Sequence, residues 1–354
     1  MEGLPAIRCA GSETIPMNDL APLVEGVAVD PLVGHPADFH VFHKFLDRCK
    51  ELPAITTSVC WPLSDVALSG TVEAADEGLI RPTLIGDEAG IRELAAKIGV
   101  DISAFPIVQA DTEAKAAELS VAMCRNGQAQ AMMKGSLHTD ELMRAVMQRE
   151  TGLRTSHRIS HVFVMDTPAY DRTLLITDAA INIEPELEDK IDIVQNAINL
   201  AHALGIPQPK VALLSAIETV NPKIKSTLDA AALCKMADRG QITGGILDGP
   251  LAFDTAVSLK AAQIKGLVSP VNGQADILVM PDLESGNMLA KQLQYLGGAQ
   301  LAGIVLGARV PVILTSRADS AETRLTSCAV AVLLHYDSHP LKTENCFIRT
   351  SAPR

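Results

Sequence analysis

The residues most able to do chemistry lie where short apolar segments of strand length give way to segments of helical period. The clearest such turn ends in Thr315-Ser316-Arg317. Apolar residues then recur at helical spacing at Leu325, Cys328, Ala329, Val332 and Leu333. A guanidinium beside a helix N-terminus suits an anion, because it pairs with phosphate oxygens through two N–H groups and keeps its proton. The same pattern also fits a plain helix cap by Thr315 or Ser316, with Arg317 in solvent.

A second turn of this type follows the apolar segment Ala131–Met133. Its polar and basic residues are Lys134, Ser136 and His138. Arg144 lies inside the next predicted helix, Asp140–Arg149. A basic side chain over a strand end would meet a phosphate or carboxylate group. The alternative is a lysine that extends into solvent beside a helix capped by Thr139.

Three further turns carry Asp or Asn where an apolar segment ends. They contain Asp178 and Asn182, Asp248 and Asp254, and Asp282 and Asn287. Each is compatible with ordinary turn chemistry, in which Asp, Asn, Gly and Pro are the usual residues. In a parallel α/β sheet, however, ligands collect where strands end and helices begin. Five such turns in one chain therefore predict a polar cleft, without naming a reaction.

The elements that must position these turns are predicted from Phe39 onward, where short apolar segments alternate with segments of helical period. The predicted strands are Val162–Met165, Leu174–Thr177, Val211–Leu214, Gly245–Leu247, Ile277–Met280 and Val312–Thr315. The predicted helices include Ile191–Leu204 and Gly286–Tyr295. This alternation is typical of an α/β protein with largely parallel strands, and the Val-, Ile- and Leu-rich strands indicate helices on both faces. Residues 1–38, rich in Pro, Gly and acidic residues, are expected to form a loosely packed extension.

The composition excludes several classes of protein. With 354 residues the chain is long enough for about two domains. Its 30 basic and 42 acidic side chains give a net charge of −12, and 3% of its residues are aromatic, which argues against a nucleic-acid-binding protein. An anionic ligand would therefore need a local basic cluster. Seven cysteines without a C-x-x-C pair indicate reduced thiols in the cytoplasm, and neither a signal peptide nor a membrane span is predicted.

The common nucleotide and hydrolase motifs are absent. No two of the 24 glycines are two positions apart, so G-x-G-x-x-G cannot occur, and neither a Gly-Lys pair nor G-x-S-x-G is present. Two histidine pairs have ligand-like spacing, His157/His161 and His40/His43. Neither has the remaining ligands of a zinc site. Three aspartates carry the oxygen ligands that Mg²⁺ prefers, but without a fixed spacing: Asp178, Asp248 and Asp282. No metal is predicted.

Six segments, in their order and spacing, resemble the phosphate acetyl/butyryltransferase family. They are Met133–Gly135, Ile176–Ala180, Asp248–Asp254, Ala275–Leu278, Glu284–Asn287 and Leu314–Arg317. The resemblance runs from about Phe45 to Tyr336, and the residues of its motifs are closer to those of phosphate butyryltransferases than to those of typical phosphotransacetylases. Each segment is unspecific by itself, whereas the combination is specific.

The resemblance implies transfer of a short acyl group, acetyl or butyryl, between coenzyme A and inorganic phosphate, giving an acyl phosphate. It implies two three-layer α/β domains with a cleft between them, an architecture like that of isocitrate and isopropylmalate dehydrogenases. Coenzyme A is then a substrate, no tightly bound cofactor is expected, and the protein is a homodimer. The expected domains are 39–155 with 305–354 (domain I) and 156–304 (domain II), after the 1–38 extension.

The resemblance also implies residue roles. The family's Ser-Arg pair orients the coenzyme A thiol and stabilises developing negative charge, roles that pass to Ser316 and Arg317. Where typical members have an Asp as general base, this chain has Thr323, so Glu322 is the favoured substitute and Asp319 the other. Alternatively, thiolate formation relies on Arg317 and the helix dipole. A base is expected because the thiol must lose its proton near neutral pH. The expected phosphate- and coenzyme-A-binding or cleft-shaping residues are Lys134, Ser136, His138, Arg144, Asp178, Asp248 and Asn287.

Two other functions remain open. A metal- and NAD(P)-dependent decarboxylating dehydrogenase would share the architecture, but it needs a Tyr–Lys pair, and none of the three tyrosines is clearly placed beside a strand end. A non-catalytic protein that binds coenzyme A or acyl phosphate would explain Thr323 at the base position. Phosphate-dependent release of the coenzyme A thiol would dismiss this second alternative.

Overall fold

The computed structural model describes residues 40–316 and 319–341, so Arg317 and the predicted extension lie outside the described residues. The strands are β1 (Ile55–Cys60), β2 (Ile80–Gly86), β3 (Ile107–Gln109), β4 (Ala131–Lys134), β5 (Ser160–Thr167), β6 (Tyr170–Thr177), β7 (Lys210–Leu214), β8 (Ile246–Leu251), β9 (Ile277–Val279), β10 (Gln300–Leu306) and β11 (Val312–Ile313). The helices are α1 (His40–Cys49), α2 (Asp65–Asp76), α3 (Glu88–Ile98), α4 (Glu113–Arg125), α5 (Thr139–Val146), α6 (Leu187–Ala203), α7 (Lys225–Asp238), α8 (Phe253–Val257), α9 (Leu259–Ile264), α10 (Leu283–Tyr295) and α11 (Ala321–Ser338).

The described strands form one sheet in the order β3-β2-β1-β4-β11-β10-β5-β6-β9-β7-β8. The first group, from β3 to β11, is parallel, and so is the second group, from β6 to β8. Three antiparallel pairings, β11–β10, β10–β5 and β5–β6, connect the two groups. Because three reversals lie between them, the two groups run in opposite directions.

The register places the carboxyl ends of both groups on one row across the sheet, which we call the central row. Residues paired in succession along it, from β4 to β9, are Met133, Ile313, Ile304, Val162, Thr177 and Val279. The first group reaches this row from one side and the second group from the other. Four of the five predicted turns therefore start at or next to the central row, whereas the residues of the fifth, at Asp248, lie inside β8.

Helices cover both faces of the sheet, because successive strand residues alternate between two sets of apolar clusters. One face packs against α1, α2, α6 and α11, in a core that includes Leu68, Val194 and Val330. The other face is covered over the first group by α4 and α5 and over the second by α10, with Leu142 and Ala290 in their respective cores. This arrangement confirms the predicted three-layer α/β class.

The predicted strands and helices are confirmed, with three differences. Strand β8 continues to Leu251, so Asp248 lies inside the strand and the prediction of a turn at this residue is wrong. Strands β5 and β10 are antiparallel to their neighbours, a feature that hydrophobic pattern does not distinguish. Strand β11 ends at Ile313 instead of continuing to Thr315. Leu314 then crosses Gly303 closely: its N–H donates to the Gly303 carbonyl at 3.1 Å, and a Cβ on Gly303 would lie 2.3 Å from the Leu314 oxygen. The predicted boundary between 304 and 305 falls inside β10, and the two-domain division stays a prediction.

The turn after β6 is organised by the buried side chain of Asp178. One carboxylate oxygen accepts the backbone N–H groups of Ala180 at 2.9 Å and Ile181 at 3.0 Å. The other accepts the backbone N–H of His161 at 3.2 Å and the side-chain amide of Asn182 at 2.6 Å. Asp178 therefore closes its own turn and joins that turn to the start of β5.

We predict that Asp178→Ala destabilises the protein by about 3 kcal/mol, because five donors around this buried side chain lose their acceptor. Denaturant unfolding measures the effect. The matched control is Asp238→Ala, which removes an exposed carboxylate paired with Lys235 and should leave the unfolding midpoint almost unchanged. Equal losses in the two variants would contradict the prediction.

Candidate functional site

Lys134 ends β4, and its side chain is buried, with 2% of the residue exposed. Its Nζ donates to the carbonyl oxygens of Gly135 and Thr315, at 3.3 Å each. The lysine therefore joins the ends of the neighbouring strands β4 and β11, and the alternative of a side chain extended into solvent is wrong. Its ammonium group places positive charge beneath the turn that contains Ser316.

A second buried cation, Arg324 of α11, lies beneath the same turn. Its Nη1 donates to Thr315 Oγ1 at 2.7 Å and to the Lys134 carbonyl at 3.4 Å, and its Nη2 donates to the Ser316 carbonyl at 3.0 Å. Burial lowers the pKa of this guanidinium, and the nearby Asp319 carboxylate opposes that shift. A guanidinium starts from so high a pKa that it stays charged.

Arg324 is a residue that the sequence prediction missed. The signal was present: it comes directly before Leu325 and four residues before Cys328, so helical spacing puts it on the buried face of α11. Charged residues are almost never fully buried without a specific partner. An arginine on an apolar stripe is therefore a marker for a polar site inside the protein.

Asp319 joins the turn to α10. It is buried, and its Oδ2 accepts the backbone N–H of Ser316 at 2.6 Å, while its Oδ1 accepts the side-chain amide of Gln294 at 3.4 Å. Ser316 itself is exposed. Because Gln294 belongs to the helix after β9, this carboxylate connects the first group of strands to the second.

The cap of α11 differs from the prediction. The helix begins at Ala321, and its N-cap is Ser320, whose Oγ accepts the Thr323 N–H at 3.2 Å. The Thr323 hydroxyl lies 3.2 Å from the same oxygen, so both side chains belong to the cap. The prediction that Thr315 or Ser316 caps this helix is wrong, because the helix begins at Ala321, five residues after Ser316.

The two predicted bases have different surroundings. Glu322 is exposed in the first turn of α11 and accepts a hydrogen bond from Gln300 Nε2 at 2.9 Å. Asp319 is buried and bonded directly to the Ser316 backbone. The structure thus brings Asp319, and not Glu322, into contact with the predicted Ser-Arg turn, of which Arg317 lies outside the described residues.

The second turn packs against the end of β1. Ser136 Oγ donates to the Trp61 carbonyl at 3.0 Å, and a Cβ on Gly135 would lie 2.3 Å from that oxygen, so only glycine fits between the strands. His138 is the exposed N-cap residue of α5, with no hydrogen bond from its side chain to the helix. The alternative of a cap by Thr139 is wrong, since this residue is the first of the helix.

Arg144 lies further along α5 on an exposed face. It pairs with Asp140 and Glu141 of its own helix. Together with Lys115 and Arg125 it lines a groove of about 450 Å³ between α4 and α5. The predicted basic residues therefore divide into Lys134, which is built into the sheet, and side chains accessible from solvent.

The remaining predicted residues belong to the second group of strands. Asn287 Nδ2 donates to the Ala179 carbonyl at 3.1 Å, which places it beside the Asp178 turn. Strand β6 is three positions from β11 in the sheet, or about 14 Å at the usual strand spacing. Asp248 is on β8, the outermost strand, six positions or about 29 Å from β11. The structure thus forms two clusters, at Ser316 and at Asp178, with Asp248 apart from both.

Comparison with known proteins agrees with these motifs. The family model described as phosphate acetyl/butaryl transferase matches residues 113–332. A phosphate acetyltransferase of Rhizobium meliloti is 60% identical over 283 residues, which cover 80% of this chain and 89% of the relative. A phosphate butyryltransferase of Clostridium acetobutylicum is 45% identical over 287 residues, covering 81% of this chain and 95% of the relative.

Solved structures give the same result for the fold. A branched-chain phosphotransacylase from Enterococcus faecalis superimposes with a TM-score of 0.70 at 34% identity, covering 80% of this chain and 99% of the other. A 4-hydroxythreonine-4-phosphate dehydrogenase from Klebsiella pneumoniae has a TM-score of 0.51 at 11% identity over 80% and 99% of the two chains, which shows a shared dehydrogenase-like architecture alone. The chain therefore belongs to the phosphate acetyl/butyryltransferase family.

Proposed function

We propose that the protein transfers a short acyl group, acetyl or butyryl, between coenzyme A and inorganic phosphate. The observation that carries this proposal is the pair of buried cations, Lys134 and Arg324, beneath the Ser316 turn of a chain whose net charge is −12. Positive charge collected at one turn of an acidic protein favours an anion at that turn. The names of the relatives support phosphate as the anion and an acyl group as the group transferred.

In this reaction an oxygen of phosphate attacks the thioester carbonyl carbon, the C–S bond breaks, and the coenzyme A thiolate leaves and takes up a proton. Holding both substrates at one site supplies their orientation. Negative charge develops on the carbonyl oxygen, and donors aimed at that oxygen stabilise it. We assign orientation of the thiol to Ser316, stabilisation of this charge to Arg317, and attraction of phosphate to Lys134.

In the reverse direction a base must take the thiol proton, and we propose Asp319 for this role in preference to Glu322. A carboxylate has about four acceptor positions, so Asp319 can bond Ser316 and Gln294 and still receive a proton. It also contacts the turn that we assign to the thiol, as a general base must. Glu322 instead bonds Gln300 at the start of β10.

The other predicted binding residues are proposed to hold coenzyme A. His138 and Arg144 are exposed on α5, where phosphate groups of an extended ligand can replace the ion pairs that Arg144 makes within its helix. Ser136 holds the turn that leads to them. Asp178 and Asn287 are proposed to shape the opposite wall of the site. Asp248 lies farthest from the Ser316 turn among these residues, because its strand is the outermost of the sheet.

We further propose a cytoplasmic homodimer of two α/β domains that uses coenzyme A as a substrate and has no tightly bound cofactor. The five cysteines among the described residues are free thiols, which supports a reducing compartment. Within residues 40–316 and 319–341, no helix is both long enough and apolar enough to cross a bilayer. The same part of the chain contains no group of three His, Cys, Asp or Glu side chains arranged to hold a metal ion.

The first test is a thiol-release assay with phosphate and a series of acyl-CoA substrates from acetyl to longer chains. We expect phosphate-dependent release of coenzyme A and formation of an equal amount of acyl phosphate, with the highest kcat/KM at a short acyl group. A protein that binds these ligands but releases no thiol would be a non-catalytic member of the family, and the proposal would be wrong.

Replacing Arg317 by Ala should lower kcat by at least about 100-fold, because donors that stabilise a developing charge contribute factors of this size. The matched control is Arg309→Ala, which removes a guanidinium that is exposed on the surface and should retain wild-type turnover. Circular dichroism checks that both variants are folded. Normal acyl phosphate formation by Arg317→Ala would remove this residue from the mechanism.

Asp319→Asn and Glu322→Gln distinguish the two bases in the direction that consumes acyl phosphate and coenzyme A. We expect Asp319→Asn to lower kcat by about 100-fold or more and to remove the acidic limb of the pH–rate profile, as loss of a general base does. Glu322→Gln keeps the bond to Gln300 possible through its amide oxygen and should stay within a few-fold of wild type. The reverse ranking would assign the base to Glu322.

A further inference from the structure

We propose that Arg324 is the positioning residue of the phosphate site, and that Gly70 of α2 is a glycine because it must admit the Arg324 side chain. The inference rests on the proposed acyl transfer and adds a pair of residues to it. Neither residue lies in the turns that carry the predicted catalytic groups. Arg324 holds the backbone of those turns, and Gly70 acts through Arg324.

The first argument is the way in which the side chain is accommodated. Arg324 is 0% exposed and is among the largest fully buried side chains of the described residues. A Cβ on Gly70 would lie 2.8 Å from Arg324 Cδ and 3.2 Å from its Cβ, so any residue other than glycine forces the Arg324 stem to move. Glycine inside a helix is less favourable than alanine by about 1 kcal/mol. Gly70 lies in the middle of α2, so the space it leaves for the arginine offsets that loss.

The second argument is what the guanidinium holds. Its two terminal nitrogens reach three oxygens: the Lys134 carbonyl, the Thr315 hydroxyl and the Ser316 carbonyl. These acceptors lie at the end of β4 and just after β11, two neighbouring strands. The N–H of Ser316 is held separately by Asp319. Arg324 and Asp319 together therefore fix the backbone on both sides of Ser316, the first residue of the Ser-Arg pair.

The third argument is that stability alone does not account for an arginine here. All three hydrogen-bond acceptors are neutral oxygens, and the nearby Asp319 carboxylate compensates the charge of Arg324 only in part. A buried charge has a large desolvation cost, and well-packed apolar residues at such positions are often neutral or stabilising. Orientation of the anion-binding turn, together with positive potential beneath it, accounts for a residue that packing does not require.

Arg324→Lys tests the geometry while keeping the charge and most of the stem. One ammonium nitrogen cannot reproduce the two-nitrogen contact with three oxygens, so we expect kcat/KM for phosphate to fall by about 10- to 100-fold. Kinetics are measured well below the unfolding midpoint, so that the enzyme stays folded. The matched control is Arg48→Lys, an arginine of α1 that donates to the Ala203 carbonyl and should keep wild-type constants.

Gly70→Ala tests the same contact from the other helix, without touching the arginine. The added methyl group displaces the Arg324 stem, and we expect kcat/KM for phosphate to fall in the same direction as in Arg324→Lys. In an Arg324→Ala background the stem is absent, so Gly70→Ala should cause no further kinetic loss. This coupling between positions 70 and 324 is the signature of positioning.

The outcomes separate positioning from a merely structural role. Lower unfolding midpoints with unchanged kcat and KM in Arg324→Lys and Gly70→Ala would overturn the proposal, as would independent, multiplicative effects in the double variant. If Arg324→Ala does not fold, Arg324→Lys and Gly70→Ala still decide the question. A wild-type protein without phosphate-dependent thiol release would refute the proposed function instead, which the same assay reveals before any variant is made.

Discussion

The reversal of strand direction between β11 and β6 is the constraint on which the rest of the structure depends. It makes two parallel groups of strands end at one row, so that turns from both groups open near each other. The reversal is made by β5 and β10, which carry none of the predicted site residues. A shift of one residue in their pairing would move the row and exchange the faces of every following side chain. Strands without catalytic groups therefore decide where the site forms.

Buried charge is the second feature that defines the site. Lys134 and Arg324 lie beneath a turn whose upper side is exposed at Ser316. The N–H groups of the two cations donate to oxygens of Thr315 and Ser316, just after β11. These hydrogen bonds replace part of the hydration that the cations lose on burial. Asp319 ties the same turn to Gln294 of α10, so both groups of strands contribute to its geometry. An acidic protein can bind an anionic substrate in this way because local charge, not net charge, acts at short range.

Local pattern predicted most of the elements and the turns, because strands and helices differ in the period of their apolar residues. It failed at β8, which continues through the turn predicted at Asp248, and at β11, where Leu314 leaves the strand to cross Gly303. It also failed at the cap of α11, where Ser320 replaces the predicted Thr315 or Ser316. All three errors concern a few residues at the ends of elements. Cap and strand-end residues are similar in type, so only the path of the backbone distinguishes them.

The sequence by itself determined the α/β class, the family and the turns that carry Lys134 and Ser316, because these depend on residue types at short separations. Only the tertiary structure decided that Asp178 closes its own turn, that Asp248 lies on the outermost strand, and that Gly70 of α2 makes room for Arg324 of α11. Each of these depends on which strands are neighbours or on contacts between residues far apart in the chain. Strand order and long-range packing are set by the whole core, and no local spacing contains them.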